Sequence, residues 1–246
     1  MRARHARAPL SEQSMLGLTF QDYLGLVFFA LVWAGYHVMI DRSQRERRNL
    51  SSLMDLQRHR WMEEMSRRDV RIVDTAIMGS LQNGTAFFAS TSLLAIGAAA
   101  TLLRATEDAQ KIFADLPFGL ATSRGLWELK VIGLGMIFGY AFFKFAWAYR
   151  LFNYTAILIG ATPPASSADA AARARAVERA AAMNIAAGRH FTRGQRAFFF
   201  SFGYLGWFVS PLAWMAMTAA IALIIAHRQF DSDARAAVLL DDAPKT

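Results

Sequence analysis

An all-α fold is predicted: a polytopic membrane protein with four transmembrane helices and a long cytoplasmic helical extension. Three observations predict it. Of the 246 residues 54% are hydrophobic, and they lie in four long blocks. Each block exceeds the roughly 20 residues that a membrane-crossing helix needs. Most of the charge lies between the blocks, and 27 basic residues outweigh 19 acidic ones. Soluble cores are built from shorter apolar runs or striped helices. The whole chain, 1–246, therefore reads as a single membrane domain.

The spans are expected near 18–40, 76–103, 126–149 and 197–226. Only helices satisfy their own backbone in lipid at such lengths. Arg2, Arg4 and Arg7 precede the first block as in a signal peptide, but that block is too long and no small-residue cleavage site follows it. The first span is read as uncleaved.

Basic residues set the orientation. The loop 41–75 carries nine arginines and the loop 161–196 carries six. The N-terminal tail has three basic residues, the segment 104–130 four, and the C-terminal tail three. Fifteen against ten places loops 41–75 and 161–196 in the cytoplasm and both termini outside, in the periplasm if the host is a Gram-negative bacterium. Anionic lipid headgroups are the expected partner of these basic segments. Nucleic acid is not expected.

Residues 42–75 hold no glycine or proline and carry i,i+4 pairs such as Arg60–Glu64 and Glu64–Arg68. The first helix is expected to overshoot to about Arg48. A second is expected to start near Leu53, after a Ser52–Asp55 capping box, and to run unbroken to about Leu103. Its stripe of Leu50, Met54, Trp61, Met65 and Ile72 would pack on neighbours or serve a homo-oligomer or membrane-protein partner. After Pro163 and Pro164, Ser166 or Ser167 would cap an alanine-rich helix that stops near Gly188. A short amphipathic helix is expected over 107–116 on the outside, and a kink at Pro211 in the fourth span.

Zero cysteines remove disulfides, thiolates and cysteine-held metal. No HExxH, GxSxG or glycine-rich phosphate loop is present, and no histidine has the acid–histidine spacing of a helical metal site. No enzyme is expected, and no catalytic, cofactor or metal residues. Polar residues at membrane depth are functional candidates by default. They are Asp22, His37, Asp74, Gln82, Asn83, Lys144 and Arg150. Asp22 complements a helix N-terminus, and His37 sits at the inner end of the first span. Asn83 belongs with Gly79, Ala86, Ser90, Gly97 and Ala100 to a small, weakly polar face suited to helix contacts or to lining a pore, and Gln82 is a further polar residue of the same span. Lys144 is expected to snorkel to the inner interface. The alternatives are an anion-attracting pair with Arg150, or a buried pair with Asp74 or Asp69.

Three stretches carry a resemblance. They are Val73 and Asp74 through Ser80 to Asn83 with Phe87 to Thr91, Tyr149 to Tyr154 with Ile157 to Ala161, and Arg189 to Phe191 with Arg193 to Ala197. Together the chain resembles a bacterial family of four-helix inner-membrane proteins catalogued only as a domain of unknown function. The resemblance covers roughly residues 20–230 and implies the four-helix fold without adding chemistry. The expected role is a structural or accessory membrane component acting through helix contacts. The alternative is an oligomeric ion channel or small-solute transporter.

Overall fold

The computed structural model describes residues 17–45, 49–115 and 122–239. Among them the chain forms eight helices: α1 (Phe20–Arg45), α2 (Leu50–Ser66), α3 (Ile72–Arg104), α4 (Thr106–Ala114), α5 (Arg124–Gly160), α6 (Ala170–Val209), α7 (Pro211–Phe230) and α8 (Asp233–Leu239). Four helical stretches are long and apolar enough to cross a membrane: Phe20–Ile40, Ile72–Arg104, Arg124–Gly160 and Pro211–Leu239. The expected run of the first helix to Arg48 leaves the described residues after Arg45, and the N-terminal arginines lie outside them.

The fourth apolar block does not form one kinked helix over 197–226. α6 carries its first part and ends at Val209. Ser210 is fully extended (φ −166°, ψ 160°), and its side chain accepts the Ala213 amide as the cap of α7. Pro211 takes the first helical position, where its missing N–H costs nothing. The two helices fold into an antiparallel hairpin. A Cβ at Gly206 would lie 2.8 Å from both the Ala213 carbonyl oxygen and the Trp214 Cα, and one at Gly203 would lie 3.0 Å from the Thr218 Cα. Only glycine permits that approach.

The remaining pairings follow from side-chain contacts. Gln82 meets Asn153 and Phe88 stacks on Phe145, so α3 runs antiparallel to α5. Lys130 meets Trp207 and Phe145 meets Phe191, so α5 runs antiparallel to α6. Gly25 abuts Trp214 while Tyr36 and Ile40 share a cluster with Ile225, so α1 runs parallel to α7. The order across the bundle is α3, α5, α6, α7, α1. Side chains of α1 also reach α6, through Phe29 and Trp33 against Phe200.

The first and last long helices of the described bundle do not begin and end on one side. α7 ends beside the start of α2, where Ser51 donates to the Gln229 carbonyl oxygen (3.1 Å). The start of α1 and the end of α7 therefore lie at opposite ends of the bundle. The physical reason is the hairpin, which divides the expected fourth block between two antiparallel helices.

The unbroken helix over 53–103 is also corrected. Residues 67–71 interrupt it, between α2 and α3. α2 begins at Leu50, capped by Asn49, whose side chain accepts the Ser52 amide at 2.8 Å. The break lets α2 fold back on the first half of α6, burying Met62 and Met65 with Val177, Ala180 and Ala181. Of the expected stripe Met65 is buried, whereas Met54 and Ile72 remain exposed. Gly188 does not stop a helix. It lies inside α6, where a Cβ would press on the Arg58 guanidinium. Asp169, not Ser166 or Ser167, caps α6 by accepting the Ala172 amide. The helical extension is thus assembled from α2, the end of α5 and the first half of α6. α4 occupies most of the short amphipathic helix expected at the other end, where Leu116 and Pro117 lie outside the described residues.

Candidate functional site

Polar side chains gather at three levels of the bundle. The first lies where α1, α5, α6 and α7 begin or end together. Asp22 accepts the backbone amide and hydroxyl of Thr19 (2.8 and 2.7 Å), tying off the start of α1. Its other oxygen accepts Trp207 Nε1 at 2.7 Å. Lys130 is only 5% exposed, donates to the Trp207 carbonyl oxygen at 2.8 Å, and lies within electrostatic reach of Asp22. Trp207 stacks on Trp214 with ring centres 4.3 Å apart. The expected role of Asp22 at a helix N-terminus is met, and the structure adds a buried cation. Lys130 escaped sequence reasoning because it was grouped with the loop before the third span. Its place four residues inside an apolar block was the available signal.

Breaking such a buried charge cluster costs about 3–5 kcal/mol, because the partner is left uncompensated. Asp22→Ala is therefore expected to lower thermal stability in detergent by about 3 kcal/mol, and Asp22→Asn by less. An unchanged melting temperature for Asp22→Ala would show that the cluster contributes nothing to stability.

The second level is the helical extension. Asp74 is fully buried at the start of α3 and accepts Trp61 Nε1 (2.7 Å) and Arg68 (2.8 Å). Its partner is thus Arg68, not Lys144 or Arg150. Arg71 spans the gap to α5, donating to the carbonyl oxygens of Ile159, Thr162 and Pro163 at 2.9, 2.6 and 2.7 Å. The Thr162 and Pro163 carbonyls lie past the end of α5, and the Ile159 carbonyl also accepts the Thr162 amide; a guanidinium is a natural cap for such a helix C-terminus. Arg58 donates to Asn184 (2.7 Å), and Arg189 donates to Asp55 (2.9 Å). Burial lowers the Arg58 guanidinium against the pull of Asp55, and burial raises Asp55 against Arg189 and Arg58. Gln82 donates to Asn153 at 2.7 Å across α3 and α5, while Asn83 is exposed on α3. Asn83, expected on a helix-contact face, thus points away from the bundle.

The third level lies between these two. His37 on α1 meets the Arg196 guanidinium at 3.2 Å. Lys144 on α5 places its ammonium 5.1 Å from the Tyr140 ring centre. Arg150 is exposed, donates to the Tyr154 hydroxyl, and lies over the Trp147 and Tyr154 rings. It turns away from Lys144, as the wide angle of six helical positions requires. His37, His59 and His190 do not converge: among the described residues no three histidines or carboxylates are grouped for a metal ion.

An apolar groove of about 670 Å³ runs beside this level, between α1 and α5 and floored by α6. Leu26, Ala30 and Trp33 form one wall, Met136 and Tyr140 the other, and Tyr204 the floor. The Tyr204 hydroxyl sits against Gly133, where any side chain would collide with it.

The family described as "Protein of unknown function, DUF599" matches residues 24–234. No curated protein and no solved structure matches the chain.

Proposed function

We propose, for a chain that belongs to the DUF599 family of proteins of unknown function, an accessory role in a bacterial inner membrane. It acts through helix contacts and presents its helical extension to a partner in the cytoplasm. One observation carries this reading: rings fill the bundle from the Asp22 end to its middle. Phe29, Trp33, Phe200, Tyr204, Trp207 and Trp214 pack edge-to-face, tilted or stacked around α6. A conducting path through one chain needs a polar lining, and aromatic packing of this kind excludes water. The alternative, an oligomeric ion channel or small-solute transporter, would place its path between copies.

The orientation follows from the hairpin and the basic residues. Among the described residues the α2 end carries the arginines of 58–71 and of 173–193 with Arg228 and Arg235, against Arg104, Lys111, Arg124 and Lys130 at the other end. This end is the cytoplasmic one in our reading. The N-terminus is then outside and the C-terminus inside. The absence of native cysteine makes the test direct. Single cysteines at Gln21, Arg60 and Ser232 are labelled in intact cells with a membrane-impermeant reagent. Gln21→Cys is expected to react, whereas Arg60→Cys and Ser232→Cys should react only after lysis. Labelling of Ser232→Cys in intact cells would reverse the placement of the C-terminus.

The accessory role is tested in parallel. Purified protein in liposomes is expected to leave ion and small-solute flux at the level of empty vesicles. In-cell crosslinking from the exposed face of α2 is expected to capture a membrane-associated partner. Flux that scales with protein content would favour the channel reading instead.

A further inference from the structure

The groove between α1 and α5 differs from the lipid-facing surface around it in three ways. It is concave, it has a charged mouth, and its depth matches the bilayer. α1 and α5 run parallel from neighbouring starts, where Gly17 lies against Ser123. Trp33 and Tyr140 face each other with ring centres 6.1 Å apart. His37 and Lys144 each follow one turn deeper on their own helix. Lys144 lies twenty residues beyond the start of α5, or about 30 Å of helix. That is the thickness of the hydrocarbon core, so the mouth reaches the far headgroup layer while the groove lies within the acyl region.

Two cations and an imidazole gather at the mouth. Lys144 stands on the α5 wall, His37 on the α1 wall, and Arg196 rises from the floor to meet His37. His190 lies on α6 within the fields of Lys144 and Arg193, which together with burial lower its affinity for a proton. Burial and the two nearby cations thus favour a neutral His190, and Arg193 is the cation on α6 that shares this imidazole with Lys144. The Lys144 ammonium rests on the face of the Tyr140 ring, and an ammonium carries three donors that one ring face does not use up.

We propose that this groove is a specific site for one anionic phospholipid of the leaflet at the α2 end. One acyl chain lies between α1 and α5, and the phosphate meets Lys144 and Arg193 at the mouth. Charge complementarity selects the occupant: an apolar slot alone would accept any lipid tail, but the cations at its mouth favour an anionic head. A volume of about 670 Å³ lies in the range of ordinary ligand sites. The inference rests on the membrane placement proposed above but not on the accessory role.

The test is native mass spectrometry of the full chain released from mild detergent with equal amounts of phosphatidylglycerol and phosphatidylcholine. The wild type is expected to retain one phosphatidylglycerol in preference to phosphatidylcholine by about tenfold or more. Lys144→Gln with Arg193→Gln is expected to erase the preference while still carrying a lipid. Ala30→Phe fills the slot from an exposed wall position and is expected to lose the retained lipid of either kind. Circular dichroism and gel filtration confirm that each variant is folded. Equal retention of both lipids by the wild type would overturn the proposal, as would an undiminished preference in the double variant. Bound lipid undiminished in Ala30→Phe would place it outside the groove. Because no partner enters the assay, failure of the accessory role leaves these outcomes unaffected.

Discussion

Gly206→Leu is expected to prevent assembly of the α6–α7 hairpin. The position has no room for a Cβ: backbone atoms of Ala213 and Trp214 lie 2.8 Å from where it would stand. Backbone cannot swing aside as a flexible side chain can. A leucine would have to push α7 away, unstacking Trp207 from Trp214 and withdrawing Trp214 from Gly25 on α1. Overpacking a core by single methylenes costs about 1–3 kcal/mol. Here the contact is with main chain, and several methylenes are added. Gly206→Leu should give little or no monodisperse protein in detergent, whereas Gly206→Ala should fold with a loss of about 1–3 kcal/mol. Normal yield and melting temperature for Gly206→Leu would mean that the two helices do not touch at this level.

Arg71→Ala should be nearly as damaging, by a different route. One side chain closes three carbonyls at the end of α5 and ties them to the turn before α3. Hydrogen bonds that involve a charged group are each worth about 1.5–3 kcal/mol, and orphaned acceptors add a desolvation cost. Partial exposure reduces this, so the expected loss is about 3 kcal/mol. Lysine should not restore it, since an ammonium lacks the planar fork that spans several acceptors. Hydrogen exchange supplies the local readout: amides of 158–162 should lose protection in Arg71→Ala before those of the α5 middle. Uniform loss of protection along α5 would argue that Arg71 acts on the whole bundle instead.

Much of the architecture is legible in the residues. Four apolar blocks, helical throughout, follow from length and composition. The N-terminal role of Asp22 follows from its position. What was hidden has physical causes. The block 197–226 is long enough for one kinked helix, and proline marks a kink and a helix start equally well. The clue lay in Gly203 and Gly206, small residues three apart next to a serine–proline pair, which together fit a tight hairpin. The break at 67–71 lacks glycine and proline because it is held by tertiary contacts. Asp74 gathers Trp61 and Arg68, and Arg71 reaches α5. No local propensity encodes that. Lys144 was placed at the inner edge by counting residues, and the structure seats it against Tyr140 at the mouth of the groove.

The hairpin also governs how the chain enters a membrane. The last fourteen residues of α6, from Arg196 to Val209, include an arginine, a serine, two glycines and a tyrosine. That segment is too short and too mixed to partition into lipid alone. Its polar face is tolerated because α5 and α7 cover it. During synthesis it must therefore wait for α7, and the two helices must be integrated as one unit. A ribosome-bound chain that stops at Ser210 should leave its last segment on the cytoplasmic side. Twenty or more further residues should carry both helices across together. Topogenesis of this protein thus has a late, two-helix step, timed by the emergence of the residues after Pro211.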